Sequence, residues 1–400
     1  MVTDLLSELI AIPSVNPEHT DDARIAHEYR LAVFLSSWLS ARGFTVEYDP
    51  VDDLRGNVIG RYGPAEPRYT VMLEAHLDTV GVEGMIIDPF NPQLREGRLY
   101  GRGACDMKGA LAAALTALEP AVLEALAASG VQLIVAGAYG EETGNIGAAR
   151  LADQGVGADE VIVLEPTGCT IVHAHKGVLW CALTLIGEGG HGSNPGKGCN
   201  AILAMTDLVP WLCSELTRPF TEEGVEPVML AGEEGEEAGP TLNIGRISGG
   251  NAINIVAPHC RLEIDRRLVP GESTRLILAA LEERVKTLCR QGAARDYQIE
   301  VLKGGPAFST RTDSALVQGM QAALKADQCE PRLTAASWHS DAGALSRTSG
   351  AVIVFGPGDI AQAHTRDEYI EVADLERGVR VLRTFLQGVA TRVSPGGKLS

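Results

Sequence analysis

The run at residues 69–80, Tyr-Thr-Val-Met-Leu-Glu-Ala-His-Leu-Asp-Thr-Val, constrains this chain more than any other feature. Its apolar part, Tyr69 to Leu73, has the length and composition of a buried strand. It runs into His76 and Asp78 where such a strand should end, and in an open α/β sheet ligands gather at the carboxyl ends of the strands. Residues two apart in extended chain point to the same side, so the two side chains can act together. A metal-binding imidazole usually gives its second N–H to a carboxylate, which fixes its tautomer. Asp78 is placed to do this for His76.

Two later apolar runs end the same way. Val131–Ala138 leads into Gly140-Glu141-Glu142-Thr143-Gly144, and Val161–Leu164 leads into Glu165-Pro166. Helical patterns separate them, so a largely parallel, doubly wound α/β sheet is expected, with these polar ends along one edge. Residues 4–12 read as a helix that stops at Pro13. Residues 22–42 read as an amphipathic helix through Ile25, Tyr29, Ala32 and Leu39, stopped by Gly43. Short strands are expected at 44–48 and 57–61, and a hairpin at Gln93–Leu99 around Glu96-Gly97. A glycine-rich turn, Gly101 to Gly109, opens an Ala/Leu helix at 110–127.

A chain of 400 residues exceeds the roughly 250–300 that one core usually serves, so two domains are expected. The rhythm changes after Gly177. Strands at 178–186, 241–247 and 260–267 alternate with helices at 199–217 and 273–289, a pattern for an inserted α+β (ferredoxin-like) domain. The expected boundaries are 1–176 plus 294–400 for the catalytic domain and 177–293 for the insertion. The α/β pattern resumes near Asp296 and runs through 351–355 to a closing helix at 371–389. The acidic stretch Ala231–Gly239 reads as a solvated loop, and the tail Ser394–Ser400 as loose chain.

A net charge of −18 argues against nucleic acid or an anionic membrane as partner. No stretch approaches the roughly 18–20 unbroken apolar residues of a membrane span, and the N-terminus lacks the basic and apolar segments of a signal peptide. The eight cysteines form no Cys-x-x-Cys pair, which suits reduced, mostly buried thiols in a cytoplasm.

Five residues have the chemistry of zinc ligands: His76, Asp106, Glu142, Glu165 and His364. His364 lies in Ala363-His-Thr-Arg-Asp-Glu368, after an apolar strand and the turn Gly356-Pro-Gly358. Five ligands exceed what one tetrahedral ion with an open position needs. Two ions about 3.5–4 Å apart that share one carboxylate would use them all, with Asp106 the candidate for the bridge. Adjacent Glu141 and Glu142 need different roles, one as ligand and the other as a base free of the metal.

The ordered set His76-x-Asp78-Thr79, Gly101-Arg-Gly…Asp106-Met-Lys-Gly109, Glu141-Glu142, Glu165-Pro166 and His364 resembles the M20 family of metallopeptidases and deacylases. The likeness continues through Gly190-His191-Gly-Ser193, Gly249-Gly250, Asn254, Asp265, Arg267 and Pro270-Gly271, and covers nearly the whole chain. It implies a hydrolase of amide bonds that uses two divalent metal ions, with Zn2+ expected and Co2+ or Mn2+ able to take the same donors. By position, the resemblance gives His76 and Glu165 to one ion, Glu142 and His364 to the other, and Asp106 to both. It makes Glu141 the general base, with Asp78 steadying His76, and His191 an oxyanion donor, often supplied across a homodimer formed through the inserted domain. It also implies a substrate-carboxylate contact at Arg267, with Asn254 as its neighbour. The residues themselves leave a second reading for Arg267, an ion pair with Asp265.

This chain departs from many relatives in having Gly140 before the Glu-Glu pair and Gly81 after the His-x-Asp-Thr-Val run, though neither change removes a ligand. Ser340-Asp341-Ala342 resembles a turn of acetylornithine-deacetylase-like members, where Asp341 either faces a substrate ammonium or caps the next helix. The expected activity is removal of an acetyl or succinyl group from an amino acid. The alternatives are a dipeptidase or carboxypeptidase on the same scaffold and a metal-free binding relative.

Overall fold

The computed structural model describes residues 1–230 and 238–393. Most of the acidic stretch (231–237) and the tail from Ser394 lie outside the described residues. The chain divides into two compact units, one of residues 1–173, 310–334 and from 340 onward, the other of residues 174–309 and 335–339.

Near-continuous runs of β-branched and aliphatic residues build the centre of the first unit. Val131–Ala138, Tyr69–His76, Glu160–Val163 and Ala351–Val354 lie side by side in that order, all parallel. Val71, Met72, Leu73, Val161 and Ile162 are fully buried, as strands covered on both faces must be. The flanks are antiparallel: Gly56–Tyr62 pairs with Val131–Ala138, and Thr45–Pro50 lies outside it. A small separate sheet joins the hairpin Gln93–Arg95 and Arg98–Tyr100 to Tyr369–Glu371. That pairing brings the chain just before Tyr369 to the turn that starts at Gly101.

Two expected helices differ. The helix expected at 22–42 begins only at Tyr29 and runs to Ser40. The preceding residues are drawn off by backbone pairing, because the Val15 N–H donates to the Ile25 carbonyl and His27 donates to the Val15 carbonyl. The helix expected at 110–127 is two helices, Lys108–Ala117 and Pro120–Ala128. Pro120 lacks the N–H that would continue the first helix and instead opens the second. Among the described residues, no single helix is long and apolar enough to cross a membrane.

The second unit is a four-stranded antiparallel sheet ordered Thr241–Gly249, His259–Leu268, Gly177–Ile186, Asp296–Gly305, with helices Ala201–Glu215 and Thr274–Arg290. The β-α-β-β-α-β order and this strand arrangement are ferredoxin-like. The boundary expected at 294 is corrected here, since Asp296–Gly305 pairs with Gly177–Ile186 as the fourth strand of this sheet. Tyr297 and Ile299 pack on its core, which explains why the strand belongs to it. Leu179, Cys181, Leu183 and Leu185 line one sheet face, and Ile277, Leu281, Val285 and Leu288 recur at helical spacing against it.

Arg266 is fully buried on that apolar face, where it donates to Glu272 Oε1 at 2.6 Å and to the Leu216 carbonyl at 2.9 Å. Removing one partner of a buried ion pair strands the other charge. Arg266→Ala is therefore expected to destabilise this unit by about 3–5 kcal/mol. Calorimetric unfolding would reveal this as a lowered transition, and an unchanged thermogram would contradict it.

Candidate metal centre

The four parallel strands all end at one edge of the first sheet, and each end delivers polar groups. Val131–Ala138 is followed by Glu141 and Glu142, Tyr69–His76 ends on His76, Glu160–Val163 is followed by Glu165, and Ala351–Val354 leads to the loop that carries His364. Asp106 comes from the glycine-rich turn just before the helix Lys108–Ala117.

The structure brings these together around Asp106. His76 Nε2 lies 3.0 Å from Asp106 Oδ1, and His364 Nε2 lies 3.2 Å from Asp106 Oδ2. His364 Nε2 is also 3.1 Å from Glu142 Oε2, and Glu165 Oε1 is 3.9 Å from His76 Nε2. Ligand atoms of His76, Asp106 and Glu142 all lie within 4.8 Å of one another. A carboxylate with one imidazole nitrogen at each oxygen has the donor arrangement of a bridge.

The electrostatics ask for a cation. Burial raises Glu165 and Glu141 well above the usual carboxylate range, with His76 opposing the shift in each case. Hydrogen bonds donated by the His364 ring to Asp106 and Glu142 raise it to about 10. Glu142 Oε1 is buried with no hydrogen-bond partner among the described residues. Buried carboxylates that lack partners are ordinarily resolved by a metal ion or a proton, and this set of nitrogen and oxygen donors suits zinc. The described residues thus fit a metal-binding cluster.

Asp78 acts differently from expectation. The His76 Nδ1 partner is the Asp78 backbone carbonyl at 2.9 Å, while the Asp78 carboxylate stands 3.6 Å away. The carboxylate turns instead to the Glu-Glu loop, accepting the Glu141 N–H at 3.0 Å, the Glu142 N–H at 3.1 Å and the Asn16 side-chain amide at 2.8 Å. One residue therefore orients the imidazole through its main chain and the two glutamates through its side chain.

Asp341 is corrected as a substrate contact. It is 1 % exposed, and its Oδ1 accepts from Asn145 Nδ2 at 3.0 Å. It stands at the start of the short helix Ala342–Leu345 but makes no side-chain cap. Burial raises it to about 6, and burial with the neighbouring Asp341 carboxyl raises Glu74 well above its usual range. Asn145 Nδ2 also donates to Glu141 Oε1 at 2.9 Å.

Three of the remaining site residues lie in the second unit. His191 is exposed, and its Nδ1 accepts from the Ser193 backbone N–H at 3.2 Å and faces Ser193 Oγ at 2.7 Å. Arg267 is engaged by Asp265 at 3.0 Å, the ion pair that the sequence offered as its second reading. The expectation that Asn254 neighbours Arg267 fails on register. Arg267 pairs with Thr241 and Cys260 with Gly249, so Asn254 lies beyond the far end of the sheet, about 25 Å away at roughly 3.3 Å per residue. Its carbonyl accepts the Gly192 N–H at 2.8 Å, which puts it beside His191 instead.

Glu368 also belongs to the site, although no local motif marks it. This fully buried carboxylate accepts the N–H groups of Gly103 at 3.0 Å, Cys105 at 2.8 Å and Asp106 at 3.0 Å, and pairs with Arg102. It fixes the turn that presents Asp106. Its only sequence signal was proximity to His364, because the small sheet that carries it to the turn joins distant segments.

The model of peptidase family M20/M25/M40 matches residues 72–388. An acetylornithine deacetylase of Myxococcus xanthus is 30% identical over 387 residues, covering 94% of each chain. An acetylornithine deacetylase of Edwardsiella ictaluri is 32% identical over 372 residues, covering 92% of each. The solved structure of an M20 family metallo-carboxypeptidase from Sulfolobus solfataricus superposes with a TM-score of 0.73 at 20% identity, covering 98% of this chain and 99% of that one.

Glu368→Gln removes one acceptor oxygen and turns an amide NH2 toward backbone N–H donors. Loss of such an outer partner is expected to weaken metal binding by about 10- to 100-fold. Competition with a chromophoric chelator would measure this, and unchanged affinity would contradict the role given to Glu368.

Proposed function

The chain belongs to peptidase family M20/M25/M40 and is a hydrolase of amide or peptide bonds; we propose that it removes an acetyl or succinyl group from an amino acid with the help of two divalent cations. The observation that carries the two-cation reading is Asp106, whose two oxygens face two different imidazoles. His76 and Glu165 would hold one ion, Glu142 and His364 the other, and Asp106 would be shared. Zinc suits these donors, and cobalt or manganese can use the same set. Bound cations would lower the pKa of a water toward ~7 and polarise the scissile carbonyl.

The protein groups divide the remaining work. Glu141 stays outside the ligand set and moves the proton from the water to the leaving nitrogen. Its burial favours the protonated form, which raises its basicity. His191 is assigned the oxyanion. Because its Nδ1 accepts the Ser193 N–H, the proton of a neutral ring sits on Nε2, ready to donate. Asn254 is proposed to act beside it. Arg267 is proposed to meet the substrate carboxylate, since its pair with Asp265 orients the guanidinium and uses only some of its five donors. The choice of acyl amino acids follows the relatives that carry the acetylornithine deacetylase name.

We further assign a homodimer through the second unit. Thr241–Gly249 is an edge strand of its sheet, and Ile247, Leu203, Ile253 and Ile255 are exposed near it. An uncovered apolar edge is an ordinary pairing surface. A cytoplasmic setting suits the eight free thiols.

A panel of acetylornithine, succinyl-diaminopimelate and dipeptides, assayed with added zinc or cobalt, tests the substrate class. Release of acetate or succinate is expected, and turnover of dipeptides alone would reject it. Glu141→Gln is expected to keep its metal and lose roughly 100- to 10,000-fold in turnover. Near-wild-type turnover would remove Glu141 as the base. Ile247→Lys is expected to yield monomer in sedimentation velocity, whereas an unchanged sedimentation coefficient would place any interface elsewhere.

A further inference from the structure

Asn145 occupies a position where its side chain ordinarily has another use. It is the N-cap of the helix Ile146–Asp153, yet it makes no side-chain cap bond. An N-cap asparagine normally spends its side-chain oxygen on an N–H of the first turn. It is 3 % exposed and held at φ +58°, the left-handed region that glycine and asparagine tolerate best. Non-glycine residues held at such angles cluster at functional sites.

The side chain is committed elsewhere. Nδ2 carries two hydrogens, and two carboxylates lie within reach of it: Glu141 Oε1 at 2.9 Å and Asp341 Oδ1 at 3.0 Å. Both partners are acceptors when ionised, so the amide must present its NH2 group to them, which fixes its orientation. Asp341 is buried and comes from a distant segment of the chain, so it serves as a fixed anchor. The backbone of Glu141 is already held by Asp78 through its N–H. With Asn145 on Oε1, the carboxylate is fixed at both its main-chain and side-chain ends.

We propose that Asn145, anchored by Asp341, is the positioning residue that sets the direction of the Glu141 carboxylate. This rests on the reading of Glu141 as the base. It also gives Asp341 a role in place of substrate contact. A group held about 1 Å out of place in a catalytic geometry can cost about 100-fold in rate.

The test uses the full-length, metal-loaded enzyme and its most active substrate from the panel, with kcat, KM, bound metal and thermal midpoint read for each variant. Asn145→Gly deletes the amide while keeping a residue that adopts φ +58° without strain. Asn145→Asp keeps size and backbone tolerance but replaces the donor with a third carboxylate. Both are expected to lose about 100-fold in kcat, with KM within a few-fold of wild type and metal at wild-type stoichiometry; Asn145→Gly is expected to keep its thermal midpoint, whereas Asn145→Asp, which buries a third carboxylate beside two others, is expected to lower it. Asp341→Ala, which removes the anchor, is expected to fall in kcat with Asn145→Gly, and wild-type kcat in Asp341→Ala would remove Asp341 from the proposal. If Asn145→Gly keeps wild-type kcat while Glu141→Gln is inactive, the positioning role is overturned and the base stands. If Asn145→Gly loses metal or stability along with activity, its role is structural and the proposal is likewise overturned. Activity retained by Glu141→Gln would overturn the base assignment, and this proposal with it.

Discussion

Several carboxylates held close together out of water make the constraint on which the rest of the first unit depends. Such groups repel one another, and burial penalises each of them, so the fold must supply donors at fixed positions. It does so chiefly with backbone N–H groups. Asp78 takes two from the Glu141–Glu142 loop, and Glu368 takes three from the turn that carries Asp106. These two side chains are themselves satisfied by the amides whose loops they shape. Candidate ligands on separate loops are thereby held in place by two residues that lie outside the ligand set.

The parallel sheet explains why so many polar groups converge. Parallel strands end at a common edge, and the crossovers between them supply loops at that edge. Register sets the details: His76 stands opposite Ala138, so the Glu-Glu loop begins beside the imidazole. The proposed chemistry needs a base that is close to the ligands without being one of them. Asn145, itself held by Asp341, answers that requirement by donating to an oxygen of Glu141 that would otherwise be free to rotate.

The second unit solves a different problem. One face of its sheet is sealed by two helices, while the strand His259–Leu268 turns Arg261, Glu263, Asp265 and Arg267 to the other, as an antiparallel sheet allows. Arg266 breaks the alternation of the sealed face by placing a guanidinium among aliphatic residues, which is tolerable because Glu272 and the main-chain carbonyls of Leu216, Arg218 and Arg267 surround it. Its neighbour Arg267 points to the other face, where its partner Asp265 lies one residue pair along the same strand.

Local pattern determined a good deal by itself. Buried strands read as apolar runs, polar residues stood where those runs stopped, and ordered motifs named the family, so the α/β plan, the inserted unit and the converging residues His76, Asp106, Glu142, Glu165 and His364 were legible. Whatever depended on partners distant in the chain was not. The strand Asp296–Gly305 carries nothing local to say which sheet it joins, and only its pairing with Gly177–Ile186 decides. Glu368, Asn145 and Asn16 are ordinary polar residues until folding sets them against Asp106, Glu141 and Asp78. Asp341 kept two readings open until burial removed the substrate contact and the lack of a side-chain cap bond removed the other. Sequence periodicity reports which face of an element avoids water, whereas the partner of a buried polar atom is fixed by three-dimensional closure, which leaves no periodic trace in the chain.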